Sequence, residues 1–255
     1  MSKIEWTDHT WNPIRGCSRV SAGCENCYAE TMAGRFSGPG GPYEGLVSKT
    51  SNGFRWTGKI QVVEKEINAP YKWRKPRMVF VNSMSDLYHP NLELKDLWRI
   101  MKSMKENPKH TFQVLTKRPE NIPTGILDRM PHNVWIGTSV EDNSVKARIA
   151  HLIRVNAKPR FLSVEPMLGP LEIDDYLSTG LIHWIIIGGE SGPGARKCNF
   201  EWKKDLIGQC DKYNVPVFVK QLGSNSRYYP DESYKGSDIS RWPKWLQRRE
   251  YPIAA

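Results

Sequence analysis

MVFVNSMSDLYHPNLELKDLWRIMKSMKENPKHTFQVLTKRPE, residues 78–120, reads as a strand, a helix and a second strand. MVFVN at 78–82 and TFQVL at 111–115 are short and almost wholly apolar, as strands buried on both faces of a parallel sheet are. Between them Leu94, Leu97, Trp98, Met101 and Met104 recur at the 3.6-residue period of a helix bounded by Asn91 and Pro108. The pattern repeats along the chain. VWIGT at 134–138, RFLSV at 160–164, HWIIIG at 183–188 and VPVFV at 215–219 read as further strands. Val145, Ile149, Leu152 and Ile153 form one intervening helical set, and Trp202, Leu206, Cys210 and Tyr213 another. Such alternation defines the class as α/β, a partial or full β/α (TIM-like) barrel of parallel strands. Upstream, residues 10–16 supply an earlier strand, a helix runs from about Cys27 to Arg35, and GKIQVV at 58–63 is another short strand, giving six to eight in all.

The chain has 255 residues, within the range of one β/α barrel, and residues 1–255 are read as a single domain. Turn formers crowd SGPGGPYEGLVSKTSNG, so residues 37–58 form an insertion or long loop, and residues 224–255 form a basic aromatic tail. Hydrophobic residues make up 39% and no apolar run nears the roughly 20 residues of a membrane helix. The opening MSKIEWTDHTWNP lacks a secretory pattern, so a cytoplasmic protein without membrane association is expected. A net charge of +10 favours an anionic partner, nucleic acid first; a generally basic solvated surface is the alternative.

Every strand ends on polar or ionisable residues: Asn82, Ser83 and Asp86; Thr116, Lys117 and Arg118; Ser139 and Glu141; Glu165; Glu190; and Lys220 with Gln221. Reactive groups of β/α barrels gather at these C-terminal strand ends, so a polar pocket on one rim is expected, against a merely solvated rim. Gly188, Gly189, Glu190 and Arg196 belong to the turn GGESGPGAR, which is as consistent with a tight βα turn as with backbone contact to a ligand. In RWPKWLQRREYP, residues 241–252, cations beside Trp242, Trp245 and Tyr251 could stack on bases, but packing of the aromatics on the barrel is favoured.

Five cysteines are an odd number, and metal binding explains three of them better than disulfides do. GCSRVSAGCENCYAE places Cys17, Cys24 and Cys27 in a C-x6-C-x2-C loop. Three thiolates can hold three irons of a [4Fe-4S] cluster and leave the fourth open to a small ligand. Gly16 and Gly23 let the backbone wrap closely. Zinc is the alternative, with His9 or Cys198 as a fourth ligand. Cys198 and Cys210 themselves are read as small buried hydrophobes.

Three cysteines after a first strand, followed by a β/α barrel, resemble the radical S-adenosylmethionine (SAM) superfamily. More specifically, the chain resembles a phage-encoded three-Cys-motif family of radical-SAM-like proteins, through GCSRVSAGCENCYAE, FVNSMSDLYHP, LTKRPE, WIGTSVED, RFLSVEPMLGP, IIIGGESGPGARKC and VFVKQLG. It departs from the superfamily in cysteine spacing: six residues separate the first two, and Tyr28 follows the third. The resemblance implies a [4Fe-4S] cluster and SAM as cofactors, reductive cleavage to a 5′-deoxyadenosyl radical, a reductant protein, and a partner protein encoded nearby. It implies that Asn82, Ser83 and Asp86 meet the SAM ammonium and that Ser139 and Glu141 reach the ribose. Thr116, Gly188, Gly189, Glu190 and Arg196 complete the cofactor set, and Glu165, Lys117 and Lys220 are the candidate catalytic groups. Lys117, Arg118, Arg196 and Lys220 would give a positive rim suited to modifying or repairing a nucleic acid or nucleotide. The competing readings are a non-catalytic, metal-containing nucleic-acid-binding protein of the same fold, and an enzyme of this fold that has lost the cluster.

Overall fold

A computed structural model describes residues 4–225 and 235–252, so the tail segments 226–234 and 253–255 lie outside the described residues. The strands of the main sheet are β1 (His9–Trp11), β2 (Met78–Val81), β3 (Thr111–Thr116), β4 (Val134–Ser139), β5 (Arg160–Val164), β6 (Trp184–Gly188) and β7 (Val217–Gln221). Their order follows the chain from β1 to β7. The pairs β1–β2, β2–β3, β4–β5, β5–β6 and β6–β7 are parallel. The fold is therefore α/β, with the strand succession of a partial β/α barrel. No helix among the described residues is long and apolar enough to cross a membrane. Two compact units, Met1–Trp135 and Ile136–Ala255, are described in turn.

In the first unit the strand expected at 10–16 is two strands. Pro13 has no N–H to donate, and beyond it Ile14–Arg15 leaves the main sheet to pair antiparallel with Gln61–Val62, the core of the expected 58–63 strand. Helix α1 (Tyr28–Gly34) follows the cysteine loop, and α2 (Leu94–Lys105) links β2 to β3. Leu97, Ile100, Met101 and Met104 of α2 are buried, whereas Leu94 and Trp98, one stripe away, are exposed.

The 37–58 segment is more ordered than its turn formers imply. Val47–Thr50 and Gly53–Trp56 form an antiparallel hairpin, because β-formers flank the Ser51-Asn52 turn. Tyr43, Leu46, Val47, Phe54 and Trp56 pack with Ala33 of α1 and with Met84. The insertion thus braces the helix that closes the cysteine loop.

In the second unit α3 (Arg148–Leu152) is shorter than the expected 145–153 set, because Asn143–Val145 forms a separate 3₁₀ turn capped by Asp142, whose Oδ1 accepts the Ser144 N–H. Helix α4 (Phe200–Lys212) precedes β7 and buries Leu206, Ile207 and Cys210. Burial pushes the Cys210 thiol up to about 12, consistent with an inert core residue. Cys198 differs: its Sγ accepts from the fully buried Lys203 at 2.8 Å, so it satisfies a core ammonium as well as filling space.

The tail packs on this unit. Arg249 bridges antiparallel to Phe218, while the Val219 N–H donates to Arg248 O and the Glu250 N–H to Val217 O, which covers the free side of β7. Tyr251 stacks on Trp184 with ring centroids 5.4 Å apart, and Arg249 lies over both Phe218 and Trp242. Trp242 is buried, whereas Trp245 stays exposed.

Two histidines tie stability to pH. His89 Nδ1 accepts the Asn91 N–H, and His183 Nδ1 accepts the Arg160 N–H. Both rings must be neutral to accept, and burial followed by nearby arginines (Arg118 and Arg160 respectively) holds both below the ordinary 6.5. The unfolded chain takes up these protons near 6.5 and the folded chain refuses them. Stability is therefore complete above that value and falls as pH drops toward the lowered folded values, by at most about 1.4 kcal/mol per pH unit for each histidine. Thermal melts at pH 7.5, 6.5 and 5.5 are expected to show this loss, and His183→Asn to lessen it.

Candidate functional site

The cysteine loop leaves Ile14–Arg15 at Gly16, which has φ +86°, and a Cβ there would lie 2.2 Å from Lys59 O. Both the left-handed backbone and the close strand require glycine. Cys24 closes the 3₁₀ turn Ala22–Cys24, and Cys27 precedes the first residue of α1. Arg19 reaches across the loop: its Nε donates to Glu30 Oε1 at 3.0 Å and its Nη2 to Glu25 O at 3.0 Å. Glu30 is buried on α1 and also accepts the Trp56 N–H at 3.1 Å, so hairpin, helix and loop share one carboxylate. Arg19 also stands within electrostatic reach of Cys24 and Cys27.

The other end of the loop is pinned by the residues after β2 and β3. Arg118 is buried, and its Nη2 donates to Ser18 O at 2.7 Å and Ser18 Oγ at 2.8 Å. Its Nη1 donates to Asp86 Oδ2 at 3.0 Å and approaches Cys17 Sγ at 3.8 Å. Asp86 Oδ1 accepts from Thr116 Oγ1 at 2.7 Å and from the Tyr88 N–H at 3.0 Å, while Oδ2 also accepts the Lys117 N–H at 3.0 Å. Four donors fill the lone pairs of one carboxylate. His89 Nε2 lies 2.9 Å from Ser18 Oγ and is the protonated ring nitrogen, because Nδ1 accepts from Asn91.

The thiols respond to this setting. Burial first, and then the Asp86 charge, push Cys17 up to about 12, with Arg118 pulling the other way. Cys27 is raised too, by burial, against the backbone N–H groups of Ala29 and Glu30. Half-buried thiols raised in this way stay protonated unless a metal takes the proton's place.

Asn82 follows β2 in the left-handed region at φ +60°, which asparagine tolerates better than other side chains. It is 3% exposed, and both its Nδ2 and its Oδ1 are buried without a hydrogen-bond partner. Each such group costs about 1–3 kcal/mol when left unpaired, so the site holds a donor and an acceptor in want of a ligand. Ser83 is engaged: its hydroxyl donates to Asn12 Oδ1 at 3.1 Å, and its carbonyl accepts from Tyr28 Oη at 2.7 Å.

Three thiols lie on one loop, with arginines at both of its ends, and an N–H approaches one sulfur. That donor set suits a cluster, whose sulfurs are tuned by nearby charge and hydrogen bonds. Among the described residues no three His, Cys, Asp or Glu side chains converge as a single-ion site needs. A four-iron cluster takes its cysteines on separate irons and requires no such convergence.

The second unit holds its own strand-end groups. Glu165 after β5 and Lys220 in β7 form an ion pair of 2.5 Å, with side chains 19% and 18% exposed. Gly188 lies against this pair: a Cβ there would be 3.1 Å from Glu165 Cδ. Glu190 and Arg196 close the glycine-rich turn on itself, since Arg196 donates its backbone N–H and its Nε to Glu190 Oε2 at 2.8 and 2.9 Å. Glu141 pairs with Arg148 at 2.8 Å, and Arg148 also donates to Ser139 O at 2.9 Å. The expected positive rim is thereby corrected. Arg118, Arg196 and Lys220 are each neutralised by a carboxylate beside them, namely Asp86, Glu190 and Glu165.

Gly189 packs on the end of β7: a Cβ at 189 would lie 2.1 Å from Leu222 O. Backbone on backbone cannot yield as a side chain does. Gly189→Ala is expected to destabilise by about 1–3 kcal/mol, read from urea unfolding.

Sequence reading missed Ser18, Arg19, Glu30 and His89, and counted Arg118 only as charge. The spacing of LTKRPE and GCSR gives no sign that Arg118 turns toward Ser18; only the polarity of Ser18 next to Cys17 offered a hint.

The strand succession and the loop define an α/β protein that carries three thiols beyond the end of its first sheet strand. The chain belongs to the DUF5131 family, described as a protein of unknown function, which matches residues 1–245. Among solved structures it is similar to a spore photoproduct lyase point mutant, with a TM-score of 0.44 at 11% identity over 81% of this chain and 74% of that one. It is also similar to a double mutant of spore photoproduct lyase with bound AdoMet and dinucleoside spore photoproduct, with a TM-score of 0.41 at 14% identity over 80% and 61%. No curated protein sequence matches the chain.

Proposed function

We propose that this protein is a radical-SAM-type enzyme that modifies or repairs a nucleic acid or nucleotide. The observation that carries the reading is the C-x6-C-x2-C loop beyond the first strand of a sequential parallel sheet, with Cys17 held beside the buried Arg118. Cys17, Cys24 and Cys27 would hold the cluster and leave one iron open. When bound, cluster and SAM would supply one-electron cleavage of the sulfonium and a 5′-deoxyadenosyl radical to abstract hydrogen.

The chain's own residues would bind and orient. Asn82, with an unpaired donor and acceptor, suits the amino-acid end of SAM, and burial around it excludes water. Asp86 and Thr116 shape the wall instead of contacting ligand, because Asp86 has no lone pair to spare. Lys117 is assigned to contact the substrate. Glu165 and Lys220, half-buried and sharing a hydrogen bond, form an acid–base pair able to hold or pass a proton at Oε1. The net charge of +10 supports an anionic substrate.

Anaerobic purification followed by iron, sulfide and SAM-cleavage assays tests the reading. A brown protein that releases 5′-deoxyadenosine on reduction is expected. A colourless protein with one zinc per chain would refute it.

A further inference from the structure

Arg118 ties Cys17 and Ser18 of the cysteine loop to Asp86. It is 3% exposed, and one guanidinium spans Ser18 O, Ser18 Oγ, Asp86 Oδ2 and Cys17 Sγ. Its own backbone N–H donates to Thr116 Oγ1 at 2.9 Å, which fixes where the side chain starts. Asp86 in turn is fixed by Tyr88, Thr116 and Lys117, so the fork is anchored on the loops after β2 and β3. Ser18 receives a further contact from His89.

A planar guanidinium can make these contacts together; a lysine ammonium is a point donor and cannot span them. Cys17 and Ser18 have no other side-chain anchor of comparable number among the described residues. The loop is otherwise held from its far side, by Arg19 and Glu30.

We propose that Arg118 is a positioning residue that clamps the Cys17 end of the cysteine loop through Ser18 and sets the charge felt at the Cys17 sulfur. The clamp belongs to the chain with or without metal. Its effect on a bound cluster rests on the radical-SAM reading above.

Hydrogen exchange of the metal-free full chain tests the clamp directly. In Arg118→Gln the amides of Cys17, Ser18 and Arg19 are expected to exchange about tenfold faster or more, the weight of two lost charge-assisted hydrogen bonds. Arg118→Lys keeps the charge but not the fork and is expected to exchange faster than the wild type as well. Because Arg118→Gln leaves the buried Asp86 carboxylate without its cation, the double variant Asp86→Asn with Arg118→Gln, which buries no charge, serves where a single variant does not fold. Wild-type exchange rates in Arg118→Gln or in the double variant overturn the clamp, and wild-type rates in Arg118→Lys overturn the need for the fork. In iron-loaded protein, Arg118→Gln is expected to shift the midpoint potential to more negative values, with Arg118→Lys between; an unchanged potential overturns the charge effect. Wild-type protein that takes up no iron or sulfide would sink the radical-SAM reading, and the exchange result would still decide the clamp.

Discussion

On the radical-SAM reading, Cys24→Ala is expected to abolish stoichiometric iron and acid-labile sulfide and to reduce 5′-deoxyadenosine formation to the level seen without protein. With one of three thiolates gone, a second iron loses its anchor. The fold should survive. Cys24 ends a single 3₁₀ turn begun by Ala22, and alanine fits that backbone. The change in stability of metal-free protein is therefore expected to stay near about 1 kcal/mol. Cys210→Ala is the control: that thiol lies in the core of α4, and its loss should leave iron content intact while lowering stability. Iron retained in Cys24→Ala at the wild-type level would remove the loop from any metal role.

Asp86→Ala should be the most destabilising single change at the site, by about 3–5 kcal/mol, because it strands the buried Arg118 cation and three further donors. For a chain of this size that corresponds to a fall in Tm of about 10 °C. Scanning calorimetry and urea titration of the metal-free protein would measure it. If Asp86 instead served mainly to bind the ammonium of SAM, the substitution would leave the metal-free protein's melting almost unchanged and weaken SAM binding alone. Asp86→Asn tests the same point more gently, since the amide keeps one acceptor oxygen but turns an N–H₂ toward a donor.

Much of the fold was legible because burial on both faces leaves a plain record. The runs MVFVN, TFQVL, VWIGT, RFLSV and HWIIIG coincide with β2 to β6 within a residue or two. Short elements were harder. The 47–56 hairpin is only four residues a side and sits among glycines and prolines that obscure its alternation, and the split at Pro13 depends on which neighbour each half pairs with. At the site, the three cysteines stand out by spacing alone. Their supports do not, because Arg118 and Ser18 are 100 residues apart in the chain.

Sequence by itself determined the element types, the sequential β/α plan and the thiol loop, since periodicity and residue chemistry are local properties. Tertiary structure decided how the polar groups are used. It paired Arg118, Arg196 and Lys220 with carboxylates, where the strand ends alone implied open charge. It filled Asp86 with donors and left the Asn82 side-chain amide without partners. Whether a polar side chain awaits a ligand or is already satisfied depends on what folding brings within hydrogen-bond distance, and no spacing along the chain encodes that.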